Sequence, residues 1–295
     1  MIAAAPEDRA AIFEAHRRHL TGLAYRMLGS LAEAEDAVQE AYLRWHRTDH
    51  TAIDNPRAFL SKVVTRLCLD HLKSARAQRE SYVGPWLPEP VLDTAALDAE
   101  SAGEYAHDLS VALMLTLERL SSLERAAFLL HDVFDMPFDE IAEALGRDAA
   151  ACRQLAARAR THVRAARPRF TPSPDEGARL ANAFRRAARS GDVAGMVQLL
   201  TDDAVLLTDG GGKRIAALNP IAGADKIARF FAGIVGKTPE LDAWRVRATP
   251  INGLPGFIYA EPDGALQTAA FDIRDGRIAA IYVVLNPEKL ARVAF

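Results

Sequence analysis

The chain has 295 residues, too many for one small domain and enough for two or three. Nearly half of them (49%) are apolar, so sizeable cores can form, and a net charge of −3 excludes a uniformly basic nucleic-acid coat. Cys68 and Cys152 lack the spacing of a zinc or redox pair, no apolar run approaches the ~20 residues of a membrane span, and the amino terminus lacks a signal pattern. A protein of the reducing cytoplasm is expected, with small buried thiols and with neither metal nor organic cofactor.

Charge is segregated along the chain. Residues 57–80 hold six Lys/Arg against two acids, residues 147–169 seven Arg against one, and residues 81–110 six acids with no Lys or Arg. Such blocks set up local fields of opposite sign.

Residues 1–80 read as helical. Phe13, Leu20, Leu23, Ala24, Met27 and Leu28 form one stripe, which Gly29 and Ser30 break. A second helix covers 34–47. After a polar stretch (48–55), Asn55-Pro56 opens a third, over 59–74. Residues 81–108 form an acidic linker, in which Trp86-Leu87-Pro88-Glu89-Pro90 cannot be regular helix because two close prolines remove donors and restrict their neighbours. Residues 109–168 are helical again, and Pro168, Pro172 and Pro174 mark a boundary.

Residues 176–295 form an α+β domain. Helices are expected near 176–189 and 193–200. Strands are expected over 204–208, 244–251, 257–260, 265–273 and 278–285, with Asn252-Gly253 and Asp275-Gly276 as hairpin-like turns. A curved antiparallel sheet fits this pattern.

The stretch from Pro137 to Arg160 carries the sharpest signal. Ile141, Ala142 and Leu145 make one apolar face, and Gly146 sits where a reversal needs a residue without a Cβ. Asp148 can cap a second helix, whose Cys152, Leu155, Ala156 and Ala159 face inward. This is the pattern of a helix-turn-helix, whose second helix enters a major groove. Arg153 and Gln154 lie where base contacts occur, Arg147 can hold a phosphate at the turn, and Arg158, Arg160 and Arg164 suit the backbone.

The run Asp36-Ala37-Val38-Gln39-Glu40-Ala41-Tyr42-Leu43-Arg44-Trp45 resembles the region-2 signature of extracytoplasmic-function (ECF) sigma factors. Residues 56–80 resemble the part of region 2 that binds the −10 element, and 111–164 resemble region 4, which reads the −35 element. Three further motifs, Trp86 to Pro90, Asp209-Gly210-Gly211-Gly212-Lys213 and Asn286-Pro287-Glu288-Lys289-Leu290, resemble those of one subgroup, the SigJ-like ECF sigma factors with a fused SnoaL-like domain. The resemblance implies a multidomain chain: region 2 as a helical bundle (1–80), a linker (81–108), region 4 as a helix-turn-helix (109–168) and an α+β SnoaL-like cone (176–295). The recognition helix is rich in alanine, and Leu155 stands where many relatives carry a basic residue, so base preference does not transfer.

The implied partners are core RNA polymerase and promoter DNA, with no membrane and no separate anti-sigma factor. Asp36, Gln39, Glu40 and Leu43 would dock on the polymerase clamp. Arg57, Lys62, Arg66, Lys73, Arg76 and Arg79 would track the −10 strand, with Asp54 and Asn55 lining a pocket for an extruded base. Phe59 is expected in the core. The linker acids Glu89, Asp93, Asp98, Glu100, Glu104 and Asp108 would imitate a nucleic-acid strand in a basic channel.

In the third domain no histidine occurs after His162. Asp209, Asp272 and Glu261 remain as bases without visible partners, and no catalysis is expected. Regulation in cis is expected instead, with Trp86, Pro88 and Glu89 meeting the Asp209–Lys213 loop and Asn286, Pro287, Lys289 and Leu290. In that scheme Glu89 pairs with Lys213, and Trp86 fills an apolar cleft. A DNA-targeted small-molecule enzyme and a stand-alone repressor stay open as other readings, as does an unidentified small ligand of the third domain.

Overall fold

The computed structural model describes residues 6–49, 53–92, 94–97, 108–166 and 173–295. They divide into two compact units: those within residues 1–80, 93–109 and 113–167 form one, and those within residues 81–92, 110–112 and 168–295 the other.

The first unit is all helical. Helices α1 (Pro6–Leu28), α2 (Leu31–Arg47) and α3 (Pro56–Glu80) pack around Phe13, Leu20, Leu23, Trp45, Leu60 and Val64. Gly29, at φ +72°, turns the chain, and the Ser30 hydroxyl accepts from the Glu33 amide to cap α2. That cap starts α2 three residues before the periodicity predicts. Helix α3 begins at Pro56, whose missing N–H costs nothing at a first helical position.

A 3₁₀ turn, Thr94–Leu97, lies against α1, where the Leu97 carbonyl accepts from Arg26 at 2.8 Å. Helices α4 (Val111–Glu118, from Leu113 on), α5 (Ser122–Phe128), α6 (Phe138–Leu145) and α7 (Ala149–Ala166) complete the unit. Ser121 and Glu124 form a reciprocal capping box on α5, and a single π-helical turn, Leu129–Val133, follows it.

The second unit is a sheet backed by helices. Helices α8 (Pro174–Ser190), α9 (Val193–Leu199) and α10 (Ala224–Lys237) pack on strands β1 (Leu200–Asp209), β2 (Ile221–Ala222), β3 (Arg245–Ala248), β4 (Gly256–Ala260), β5 (Leu266–Arg274) and β6 (Arg277–Val284). The spatial order is β2-β1-β6-β5-β4-β3. Phe184, Met196, Leu206, Ile227, Phe271 and Ile281 belong to the core between sheet and helices.

The sheet is antiparallel except that β1 runs parallel to β6. The antiparallel sheet expected from the sequence is corrected at that one pair. One α-helix, α10, and four strands lie between β1 and β6 in the chain, so no hairpin turn fixes their relative direction. Helix α10 and strand β2 were not expected. The Asp275-Gly276 turn joins β5 to β6 with both residues at positive φ (49° and 72°).

Candidate nucleic-acid interface and linker clasp

The turn between α6 and α7 has the geometry its sequence predicts. Gly146 adopts φ +62°, ψ +42°, and its amide donates to the Ala142 carbonyl. The Asp148 carboxylate accepts from the Ala151 amide at 2.7 Å and so caps α7. Cys152, Ala156 and Ala159 are fully buried. Arg147, Arg153, Gln154, Arg158 and Arg164 are exposed on the opposite side. The Arg153 guanidinium also lies over the Phe138 ring, 5.5 Å from its centroid, which orients it. Arg160 departs from this group: it is half-buried and paired with Asp132 at 2.6 Å.

The basic residues of α3 divide. Lys62 pairs with Glu143 of α6 at 3.0 Å. Arg66 donates to the carbonyls of Glu143 (2.8 Å) and Ala144 (3.1 Å), which are left unsatisfied at the carboxyl end of α6. Arg57 reaches the buried His19 ring at 3.3 Å. Lys73 is exposed beside Asp70 (2.7 Å). Arg76 and Arg79 lie on α3, and their side chains fall outside the described residues. Asp54 and Asn55 are exposed, and Asn55 accepts from the Ala58 amide at 3.1 Å as a cap for α3. Phe59 packs beside Trp45, ring to ring at 5.9 Å, as a core residue would.

On α2, Asp36, Gln39 and Leu43 are exposed together, Leu43 to 41%. Glu40 bonds Arg44 one turn on (2.9 Å). Their spacing of three and four residues puts them on one face.

The three motifs of the second unit meet. Asp209, at the end of β1, is fully buried, and its carboxylate accepts three hydrogen bonds: from Tyr82 Oη (2.6 Å), the Leu87 amide (2.9 Å) and Lys289 Nζ (2.7 Å). Its backbone carbonyl accepts from the amides of Leu285 and Asn286. Lys289 also donates to the Leu87 carbonyl at 2.5 Å, and its ammonium lies over the rings of Trp86 (4.2 Å) and Tyr82 (4.9 Å). Asn286 donates to Tyr82 Oη at 2.9 Å. Burial and then the Asp209 carboxylate push the Tyr82 phenol well up from its usual range, so it stays a donor.

The segment before residue 93 is thus held as an extended strap. Leu87, Pro88, Glu89 and Pro90 are all buried, and Val91 exchanges two backbone-to-Asn252 hydrogen bonds (2.7 and 3.1 Å). Glycines let the loop come close. A Cβ on Gly211 would stand 2.3 Å from Asn286 Nδ2, and one on Gly210 would stand 2.2 Å from the Arg214 carbonyl.

Several expectations are corrected in detail. Lys213 pairs with Glu288, not Glu89. Glu89 is buried near Arg292 (3.8 Å) and is not part of an acidic strand mimic. Asp93, Asp98, Glu100 and Glu104 lie outside the described residues. Leu87 rather than Trp86 is fully buried, and Trp86 is half-buried under Lys289. Pro287 links Asn286 to the buried Leu290. Tyr82, Asn252 and Arg292 were missed. The first stands four residues before a conspicuous motif, the only hint the sequence offers. The three acids weighed as bases are all engaged: Asp209 as above, Glu261 by Arg214 (2.5 Å) and Asp272 by Arg274 (2.9 Å).

Residues 12–78 match the profile of sigma-70 region 2, and residues 110–163 that of sigma-70 region 4. The chain is 42% identical over 287 residues to the ECF RNA polymerase sigma factor SigJ of Mycobacterium tuberculosis, covering 94% of this chain and 91% of that one. The chain belongs to the ECF sigma factors. This sigma factor is also 33% identical to a probable ECF RNA polymerase sigma factor, SigI, of the same organism, with 95% and 94% of the two chains covered. A crystal structure of M. tuberculosis SigJ superposes with a TM-score of 0.77 at 38% identity, covering 96% of this sigma factor and 98% of that chain. The likeness therefore runs through the sheet unit as well as both helical regions. Among the described residues no helix is long and apolar enough to cross a membrane.

Proposed function

We propose that this sigma factor joins core RNA polymerase in the cytoplasm and directs it to promoters, and that its carboxyl-terminal unit regulates it in cis by clasping the strap that follows region 2. The exposed face of α2 (Asp36, Gln39, Leu43, with Glu40 beside it) docks on the polymerase. The outer face of α7 reads the −35 element through Arg153 and Gln154, with Arg147 and Arg158 on phosphates. The cations of α3 hold the −10 strand. For Lys62 and Arg66 this means exchanging Glu143 and the α6 carbonyls for phosphates, so capture of the strand competes with the bonding seen within the first unit. No step of chemistry is assigned to the sheet unit.

The observation that carries cis regulation is the buried Asp209 carboxylate, which ties Tyr82, Leu87 and Lys289 to one point. A carboxyl-terminal domain with no bearing on initiation has no need of so specific a hold on the segment joining the DNA-binding regions. The test is promoter-directed transcription in vitro with core polymerase and the full-length chain, carrying Asp209→Ala or Lys289→Met. Transcript yield is expected to change severalfold while core binding is retained. Yields equal to wild type for both variants would refute cis control, whereas Arg153→Ala would still lower promoter use if the α7 assignment holds.

A further inference from the structure

The sheet unit encloses a cavity of 430 Å³, within the ~300–1,000 Å³ usual for small-molecule sites. It lies between the sheet and helices α8 and α10, and Phe184, Phe230, Phe231, Trp244 and Phe271 give it aromatic walls. Protein interiors are normally close-packed, so a space this large and this apolar is a feature to be explained.

Its polar groups are few and mostly donors. Among the described residues Glu261 is the sole acid of the lining, and Arg214 neutralises it at 2.5 Å. Arg189 is neutralised by Asp242 at 2.6 Å. Arg185 is left without an ion-pair partner among the described residues, and its Nε is buried with no hydrogen bond. Its guanidinium lies 5.4 Å from the centroid of Phe257, and Tyr259 flanks the same ring at 6.0 Å. Burial pushes the Tyr259 phenol up, and the Arg185 charge only partly opposes this, so Tyr259 is a protonated donor. Neither its hydroxyl nor the Gln267 amide makes a side-chain hydrogen bond among the described residues. A cation and two unused polar groups therefore line one apolar chamber.

We propose that this cavity binds a hydrophobic carboxylic acid, its apolar body against the aromatic walls and its carboxylate on Arg185 and Tyr259. A guanidinium fork matches a carboxylate, and in an apolar surround the pairing is strengthened. Thr208 lines the cavity and the next residue, Asp209, holds the strap, so both sites share the end of β1. The ligand site nevertheless goes beyond cis regulation and stands or falls without it, because binding is measured with no polymerase present.

The test is isothermal titration of the full-length protein with sodium decanoate and sodium 2-naphthoate, and with the matched neutral amides. At least one acid is expected to saturate at one per chain and to bind at least tenfold tighter than its amide. Arg185→Met should weaken the acid at least tenfold and leave the amide within twofold. Ala269→Phe, which fills the chamber, should abolish binding of both. Should that variant fail to fold, Ile234→Trp at the half-exposed rim serves instead, with circular dichroism and melting as controls. Failure of both acids to saturate, equal binding of acid and amide, or indifference to Arg185→Met would each overturn the proposal.

Discussion

Replacing Asp209 by alanine probes the clasp most directly. The substitution removes the acceptor of three donors at once and leaves the Lys289 ammonium, on a side chain only 13% exposed, without its carboxylate. Removing one partner of a buried, hydrogen-bonded ion pair costs about 3–5 kcal/mol, because the remaining charge stays desolvated. At ~1.4 kcal/mol per tenfold, that is a roughly 100- to 4,000-fold rise in local opening. Hydrogen exchange followed by mass spectrometry reads this at the Leu87 amide, which donates to the carboxylate and should lose protection by that factor. Asp209→Asn keeps a carbonyl acceptor and should lose less. Adding Lys289→Met to Asp209→Ala should recover part of the loss, since no charge then stays unpaired, so the two effects should not add. Protection of Leu87 in Asp209→Ala within threefold of wild type would refute the reasoning.

Gly211→Ala should loosen the same site by about 1–3 kcal/mol, since φ is +58° and the new Cβ would collide with Asn286; a lowered melting temperature and faster Leu87 exchange check this. His19 is held neutral, its pKa lowered to about 3 by burial and then by Arg57, while the unfolded chain titrates near 6.5. The unfolded state therefore binds the extra proton between those values. Stability from this group is intact above about pH 6.5 and falls by about 1.4 kcal/mol per unit below it, or roughly 2 kcal/mol by pH 5. Urea titrations of wild type and His19→Gln at pH 7 and pH 5 should differ by that amount. Arg153→Ala should cost about 1–3 kcal/mol of discrimination between promoter and single-base variants, measured by anisotropy with core polymerase present. Unaltered selectivity would remove Arg153 from base readout.

The helix-turn-helix was legible because its signals are local: a glycine at positive φ, an aspartate cap two residues on and apolar positions at helical spacing all sit within one short run. The strands on either side of Asp275-Gly276 were legible for the same reason. Helix α10 was not, because Gly233 and Gly236 lower its propensity and no side-chain cap marks its start. The parallel pairing of β1 with β6 was hidden because strand order is a long-range property. Buried arginines escape notice too. Arg26 and Arg125 lie at 0% and 3% exposure, donating to the carbonyls of Leu97 and Met27, yet their letters match those of any surface arginine. For the clasp, the motifs named the right segments but not the pairings. Which of several acids meets which lysine is decided by strand geometry, and so Asp209 rather than Glu89 became the hub.

The strap and its anchor are far apart in synthesis order. Leu87 and Lys289 are separated by 202 residues. At ~5–20 residues per second, translation reaches the lysine roughly 10–40 s after the leucine has been added. During that interval the helical regions leave the ribosome with their connecting segment untied, and a chain released early keeps it so. Synthesis of the segment that carries Lys289 is itself the event that first makes closure available.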